Sequence, residues 1–326
     1  MSTSMSPIEV RVTSKTREAD AICSYELVRV DGAPLPVFEA GAHIDVHLSV
    51  HVGEDLVRQY SLCNPPGETH RYQIGVLRDE ASRGGSRAMH DEIDTGALLH
   101  ISAPKNHFPL VPAKRSLLFA GGIGVTPILA MAETLASQGA DFEMHYSARS
   151  PERAAFRERI AGSPFADRVH FHYDSGEAAQ KLDLAALLER ADVDTHLYVC
   201  GPQGYIEHVL GSAKALGWPA SRLHVEYFGA AAVDTSGDGA FDVKLASSGK
   251  VVTVPAGITV IKALAAQGVE IPYSCEEGVC GTCLTRVLEG VPDHRDLYLT
   301  EEEQAANDQF TPCCSRAKTK VLVLDL

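Results

Sequence analysis

The chain reads as a multi-domain protein of α/β plus β class: an antiparallel β-barrel, a parallel-sheet domain, and a small β-rich domain with clustered cysteines. Three observations carry that reading. Alternating strands separated by turn signals fill residues 6–110. Short apolar runs alternate with helical stretches over residues 111–228, as in an open parallel sheet. A small, Gly-rich stretch at 229–240 reads as a linker, and residues 241–326 bring a hairpin, a helix and five cysteines, three of them on one short run.

In the first segment, Ile8-Glu9-Val10-Arg11-Val12 and Ile44-Asp45-Val46-His47-Leu48 alternate as half-buried strands do, and Asp31-Gly32 and Pro65-Pro66-Gly67 mark turns. A small antiparallel barrel follows. In the second, Ser116–Ala120, Phe142–Tyr146, Val169–Tyr173 and His196–Cys200 are the strands, and a helix runs from about Pro127 to Ser137. In the third, Phe241–Leu245 and Val251–Val254 flank Ser247-Ser248-Gly249, and a helix covers Thr259 to Gln267.

The 326 residues suit two or three domains. A net charge of −14 argues against nucleic acid as a partner. No apolar run approaches the length of a membrane span, and Met1 to Val10 lacks the apolar core of a signal peptide. Eight cysteines without a secretory signal point to a reducing cytoplasm, with Cys23, Cys63 and Cys200 as small apolar interior residues.

The run Cys275-Glu276-Glu277-Gly278-Val279-Cys280-Gly281-Thr282-Cys283, with a later cysteine, has the C-x4-C-x2-C…C spacing of a plant-type 2Fe–2S cluster. Three thiolates on one loop wrap the cluster, a fourth arrives from elsewhere, and Gly278 and Gly281 supply backbone angles closed to other residues. Cys313 and Cys314 compete for the fourth position; Pro312-Cys313-Cys314-Ser315-Arg316 resembles the closing segment of such ferredoxins, a resemblance that puts Cys313 at the ligand's place. A zinc site or two disulfides is the plain alternative, but zinc's paired short spacings are absent.

Two more groups suggest where electrons enter. Arg58-Gln59-Tyr60-Ser61-Leu62 resembles the Arg-x-Tyr-Ser signature of the ferredoxin–NADP reductase superfamily. A strand puts Tyr60 and Arg58 on one face and Ser61 on the other. An aromatic ring and a planar guanidinium suit a flavin and its phosphate. Gly84-Gly85-Ser86 then opens a helix-like stretch, Arg87 to Ile93, with Ser86 as N-cap and Arg78 and Arg83 nearby. One compact phosphate site suits FMN; FAD needs a second place for its adenosine half. Ser86 as a cap without ligand, and the Tyr60 strand as an ordinary edge strand, are the bland alternatives. Gly121-Gly122-Ile123-Gly124-Val125-Thr126-Pro127 is not the G-x-G-x-x-G fingerprint, yet it is a Gly-rich turn between strand and helix. Cys200-Gly201-Pro202 ends a later strand at the same sheet edge. Together they favour a nucleotide over two turns that merely pack.

In this order, the segments resemble the phthalate dioxygenase reductase family over nearly the whole chain. The resemblance also rests on Cys63-Asn64, His224-Val225-Glu226-Tyr227-Phe228-Gly229, Asp293-His294-Arg295-Asp296 and Ser315-Arg316-Ala317-Lys318. It implies an FMN barrel, an NADH domain and a C-terminal β-grasp 2Fe–2S ferredoxin with Cys275, Cys280, Cys283 and Cys313 as ligands. It implies a monomeric enzyme passing electrons from NADH through FMN and the cluster to a separate Rieske-type aromatic-ring oxygenase or O-demethylase. Phe228 is expected to approach the flavin ring and Glu226 the nicotinamide, against the plainer reading of a packing aromatic and a surface carboxylate. Two departures are a Gln at 59, where Thr is frequent, and Leu77 where some relatives carry a basic residue. The competing readings are a self-contained hydroxylase, for which no Rieske or haem motif is present, an FAD- or NADPH-using reductase, and a non-enzymatic redox sensor. NADPH use would draw on Arg149.

Overall fold

The computed structural model describes residues 7–49, 55–80, 84–177, 180–229 and 235–326. It divides into two compact units that meet in sequence at Phe228 and Gly229.

The first unit begins with strands β1 (Ile8–Ala19), β2 (Ile22–Arg29), β3 (Ala42–Ser49), β4 (Asp55–Ser61), β5 (Tyr72–Leu77), β6 (Leu98–Ile101) and β7 (Lys105–Asn106), with helix α1 (Gly85–Asp91) after β5. The path is β4-β3-β6-β1-β2-β5, with β7 beside β3, and every pairing is antiparallel. A bridge between Leu62 and Ile74 joins the two ends, so the sheet closes and leaves no open edge there. Register shifts in β1, between Val12 and Ser14 and again between Arg17 and Ala19, give the bends that closure needs. Inside, Val10, Val12, Tyr25, Leu27, Ile44, Val46, Tyr72 and Ile74 are buried by alternation along their strands.

The same unit continues through β8 (Arg115–Gly121), α2 (Val125–Ser137), β9 (Asp141–Ala148), α3 (Arg157–Ala161), β10 (Val169–Tyr173), α4 (Leu184–Glu189), β11 (Thr195–Cys200), α5 (Gln203–Ala215) and β12 (Leu223–Glu226). The five strands are all parallel, in the order β10-β9-β8-β11-β12. Both faces are covered. Leu117 and Phe119 belong to a core that includes Ile206 and Val209 of α5, while Leu118 and Ala120 face Ile128, Leu129 and Met131 of α2. That second core takes in Ala19, Ile22, Ala40, Cys63 and Phe108 from the barrel, which packs on this side. The contact is close at Gly75 of β5. A Cβ there would lie 2.7 Å from Thr126 Cγ2 and 3.2 Å from the Phe156 ring.

The second unit holds β13 (Phe241–Leu245), β14 (Val251–Val254), α6 (Val260–Ala265), β15 (Thr285–Glu289), β16 (Pro292–Asp293), α7 (Glu301–Ala306), β17 (Gln309–Phe310), β18 (Arg316–Ala317) and β19 (Val321–Leu324). The main sheet runs β14-β13-β19-β15-β17, with β13 and β19 parallel and the other pairs antiparallel. Helix α6 lays Val260, Ile261 and Leu264 on its core, capped by the Thr259 hydroxyl. The end of the Gly-rich segment does not hang free. Asp238 is bound by Arg295 through two contacts of 2.6 and 3.1 Å, and Arg316 Nε reaches it at 3.3 Å. Arg316 also donates to the carbonyls of Gly239, Pro255 and Ile258.

Among the described residues no helix is long and apolar enough to cross a membrane. Gly75→Ala is expected to destabilise the first unit by about 1–3 kcal/mol, because the added methyl must displace Thr126 or Phe156. Thermal unfolding checks this, and an unchanged midpoint would mean that the barrel and sheet faces yield freely.

Candidate functional site

The sequence-predicted residues fall into two adjoining groups in the first unit and one group in the second. The first group forms around β4. Its pairing with β3 sets Tyr60 opposite Ile44 and Arg58 opposite Val46, one face, and Gln59 opposite Asp45 and Ser61 opposite His43, the other. Tyr60 packs on the barrel core, where burial pushes its phenol well above the usual value. Arg58 lies against the backbone at Gly85: a Cβ at Gly85 would fall 2.5 Å from Arg58 Cγ and 2.6 Å from its Nε. Arg58 and the Gly84-Gly85 turn, distant in sequence, thus share one place. Gly84 takes φ +89°, open to glycine at little cost.

Three details differ from expectation. Helix α1 begins at Gly85 with Gly84 as N-cap, so Ser86 is not the cap. Its hydroxyl instead accepts from the Asp79 backbone N–H at 3.2 Å. Arg78 turns to carboxylates, Asp91 at 3.0 Å and Glu80. Gln59 points to His43 and Asp45, each 3.2 Å away. Arg83 lies outside the described residues.

The second group sits at the carboxyl edge of the parallel sheet. Register pairs Ala120 with Cys200, so the turns after β8 and β11 leave side by side, where the strand order reverses. They touch backbone to backbone. A Cβ on Gly124 would be 2.3 Å from the Cys200 carbonyl oxygen, one on Gly201 2.9 Å from Gly121 Cα, and one on Gly121 2.9 Å from Pro202 Cδ. Gly122, at φ +54°, has open space where a Cβ would be. Pro127 occupies the first turn of α2, where its missing N–H costs nothing. Thr126 is buried, donates to the Ile123 carbonyl at 3.1 Å and faces Gly75 rather than the open turn.

The two groups meet at Glu226, the last residue of β12. Ser61 Oγ donates to Glu226 Oε2 at 3.3 Å, and Glu226 pairs with Cys200 across β11 and β12. Burial raises the Glu226 carboxyl to about 8, although the Ser61 hydrogen bond pulls the other way. Burial, reinforced by Glu226, pushes the Cys200 thiol well above its ordinary value. Cys63 is also buried, while Cys23 is only half-buried. Phe228 is exposed. Arg149, at the end of β9, is exposed, with no side-chain partner among the described residues.

In the second unit the loop from Cys275 to Cys283 is shaped by three residues of positive φ, Glu276, Gly278 and Gly281. Side chains leave no room for a Cβ at the glycines: Gly278 abuts Cys314 Sγ and Asp296, and Gly281 lies under the Tyr298 ring. Cys275 is in hydrogen-bond reach of Cys280 and Cys313, and Cys313 of Cys283. Bonds from Cys280 first, then Cys313, hold the Cys275 thiol far below its ordinary value. The Glu277 N–H also points at its sulfur, at 3.4 Å. Cys314 is in hydrogen-bond reach of Cys313 alone among the cysteines, with Thr311 Oγ1 at 3.3 Å and Ser315 Oγ at 3.8 Å as further partners. The four thiols are linked in turn, Cys280 to Cys275 to Cys313 to Cys283, with the Glu277 and Val279 N–H groups at Cys275, and four such thiols are the donors that two irons and their bridging sulfides take.

A flavin cradle against a nucleotide edge, followed by a four-thiol ferredoxin loop, defines a flavin and iron–sulfur oxidoreductase. Comparison with known proteins agrees. Residues 243–318 match the 2Fe–2S iron–sulfur cluster binding domain. The chain is 60% identical over 321 residues to a vanillate O-demethylase oxidoreductase of Pseudomonas putida, covering 98% of this chain and all of the relative. Phthalate dioxygenase reductase, solved as a modular structure for electron transfer from pyridine nucleotides to [2Fe–2S], superposes with a TM-score of 0.75 at 38% identity, covering 98% of both chains. The chain also matches an intact type IV self-sufficient cytochrome P450 monooxygenase with a TM-score of 0.84 at 40% identity, covering 98% of this chain and 41% of that one. This chain belongs to the phthalate dioxygenase reductase family. It is an oxidoreductase of the kind that serves oxygenases, with the family's FMN, NADH and 2Fe–2S set.

Two outcomes follow from the geometry. Cys314→Ala should keep the visible absorbance and iron content of the cluster, whereas Cys313→Ala should lose both; the reverse result would exchange their roles. Glu226 gives the first unit a pH slope. Its folded pKa is raised, so between about 4.5 and 8 the folded form keeps a proton that the unfolded form has lost. Stability should therefore fall as pH rises through that window, by at most about 1.4 kcal/mol per pH unit and on the order of a few kcal/mol across it. Denaturant titrations at pH 5 and 8.5 should show the fall in the wild type and its absence in Glu226→Gln.

Proposed function

We propose that this protein takes electrons from NADH onto FMN and delivers them through its 2Fe–2S cluster to a separate Rieske-type terminal oxygenase, an O-demethylase of vanillate or a similar methoxylated aromatic acid. The observation that carries the reading is the meeting of Ser61, Cys200 and Glu226, which brings the flavin strand to the nucleotide edge of the sheet. The substrate rests on the relative that is 60% identical over nearly the whole chain and is named for vanillate. Its setting is the cytoplasm, as a monomer; cysteines that are all free suit a reducing compartment.

The modules we assign are 6–110 for FMN, 111–228 for NADH, 229–240 as linker and 241–326 for the cluster. FMN, when bound, accepts two electrons together and releases them singly. Arg58 and the Gly84-Gly85 turn hold its phosphate, with Ser86 beside them, and Tyr60 offers its ring to the isoalloxazine. Arg78, tied to Asp91, contributes background charge more than direct contact. Gly121, Gly122 and Gly124, ahead of Thr126 and Pro127, let the NADH pyrophosphate approach bare backbone beside Gly201 and Pro202. Ser61 donates to Glu226 Oε2, leaving Oε1 to keep the carboxyl proton near neutral pH and present it to the nicotinamide amide. Cys200 stays a neutral thiol at the same edge. Phe228 covers the flavin from the end of the nucleotide module. Cys275, Cys280, Cys283 and Cys313 bind the irons.

The test is reconstitution. NADH should reduce cytochrome c through this protein alone, and vanillate should speed NADH consumption only when an O-demethylase oxygenase is added. The extracted flavin should run as FMN on chromatography. Cys280→Ser should remove the cluster yet leave NADH-to-dye activity largely intact. Vanillate turnover without the oxygenase, or extraction of FAD, would overturn the corresponding part. So would an NADPH preference that disappears in Arg149→Ala.

A further inference from the structure

Arg159 lies on α3, far in sequence from every residue assigned above. Its guanidinium is shared among three acceptors of two modules. Nη1 donates to Gln73 Oε1 at 2.8 Å and Nη2 to the Cys63 carbonyl oxygen at 2.9 Å, both on the barrel. Nε and Nη2 also donate to Glu133 Oε1 on α2, at 3.3 and 3.1 Å. Cys63 follows Ser61 by two residues, and its N–H donates to the Gln73 carbonyl at 2.9 Å. Arg159 therefore grips the barrel at the closing seam, where Leu62 bridges Ile74.

Much of the rest of this junction is apolar. Gly75 meets Thr126 and Phe156 through surface that adheres without fixing direction. Other directional contacts there are single hydrogen bonds, Ser61 Oγ to Glu226 at 3.3 Å and the Asp20 N–H to the Glu152 carbonyl at 2.8 Å, whereas Arg159 makes several from one charged group. Charge-assisted hydrogen bonds have narrow preferences in angle and length. We propose that Arg159 is a positioning residue for hydride transfer: it sets the register of the Tyr60–Ser61 strand end against the nucleotide edge carrying Glu226. It touches none of the reacting atoms. The proposal rests on the reading that NADH reduces a flavin held by that strand.

Its signature is a split between rate and binding. Removing the clamp leaves the nucleotide turns intact, so NADH still binds, but a small misplacement of donor and acceptor slows transfer steeply. Arg159→Met keeps an apolar chain of similar length and deletes the donors, along with the guanidinium that lies 6.0 Å from the Phe156 ring centroid. In anaerobic rapid mixing with NADH, flavin bleaching at saturation should slow about tenfold or more, while the NADH dissociation constant stays within about twofold. Arg159→Lys should restore part of the rate, and Gln73→Leu should give a smaller loss in the same direction. FMN content and cluster spectrum are measured alongside. Unchanged bleaching at saturation, or a loss expressed only as weaker NADH binding, overturns the proposal. If Arg159→Met fails to hold FMN, Gln73→Leu decides, and a wild-type rate there overturns it. A wild type that NADH does not bleach would instead overturn the reading of the donor, a result distinct from any difference among variants.

Discussion

Two turns that touch without side chains between them set the terms for the first unit. Gly124 lies so close to the Cys200 carbonyl that a single added carbon would overlap it. That approach is available because β8 and β11 are parallel neighbours whose last residues pair, Ala120 with Cys200. A bare backbone edge follows, open where a Cβ at Gly122 would stand, the kind of edge a pyrophosphate can approach closely. The positions of Tyr205 over Gly121, of Glu226 beside Cys200 and of Ser61 against Glu226 are all built on that edge.

The architecture was readable in the sequence because its signals are local. Alternation in β1 and β3, the apolar runs of β8 and β11, and the hairpin around Gly249 each depend on residues within a few positions of one another. The cysteine loop was readable for the same reason. The expectation that Ser86 caps a helix failed on a local competition: Gly84 adopts the left-handed turn, and the Ser86 hydroxyl is taken by the Asp79 backbone. Arg78 was read into the phosphate site from its charge and its place near the Gly-rich turn; its pairing with Asp91 and Glu80 is a tertiary detail the sequence does not announce.

What was not readable depends on tertiary approach. Gly75 sits in an ordinary strand pattern, and only the position of Thr126 and Phe156 opposite it explains the missing side chain. Arg159 looks like one surface arginine among several on a short helix, with nothing nearby to announce partners at Cys63 and Gln73. Glu226 carried a signal through its surrounding motif, but the enclosure that pushes its carboxyl upward comes from the fold.

The clamp on Asp238 bears on how the iron–sulfur unit could be cut out as a free-standing electron carrier. By strand pattern, such a fragment would start at Phe241. The folded unit includes more: Asp238, its side chain almost wholly enclosed, compensates the buried guanidinium groups of Arg295 and Arg316. A fragment starting at Phe241 would leave two buried cations short of their shared counter-ion, the costly way to break an ion pair. The natural excision point therefore lies upstream of Asp238, and the last part of the Gly-rich segment is, in folding terms, the first part of the ferredoxin.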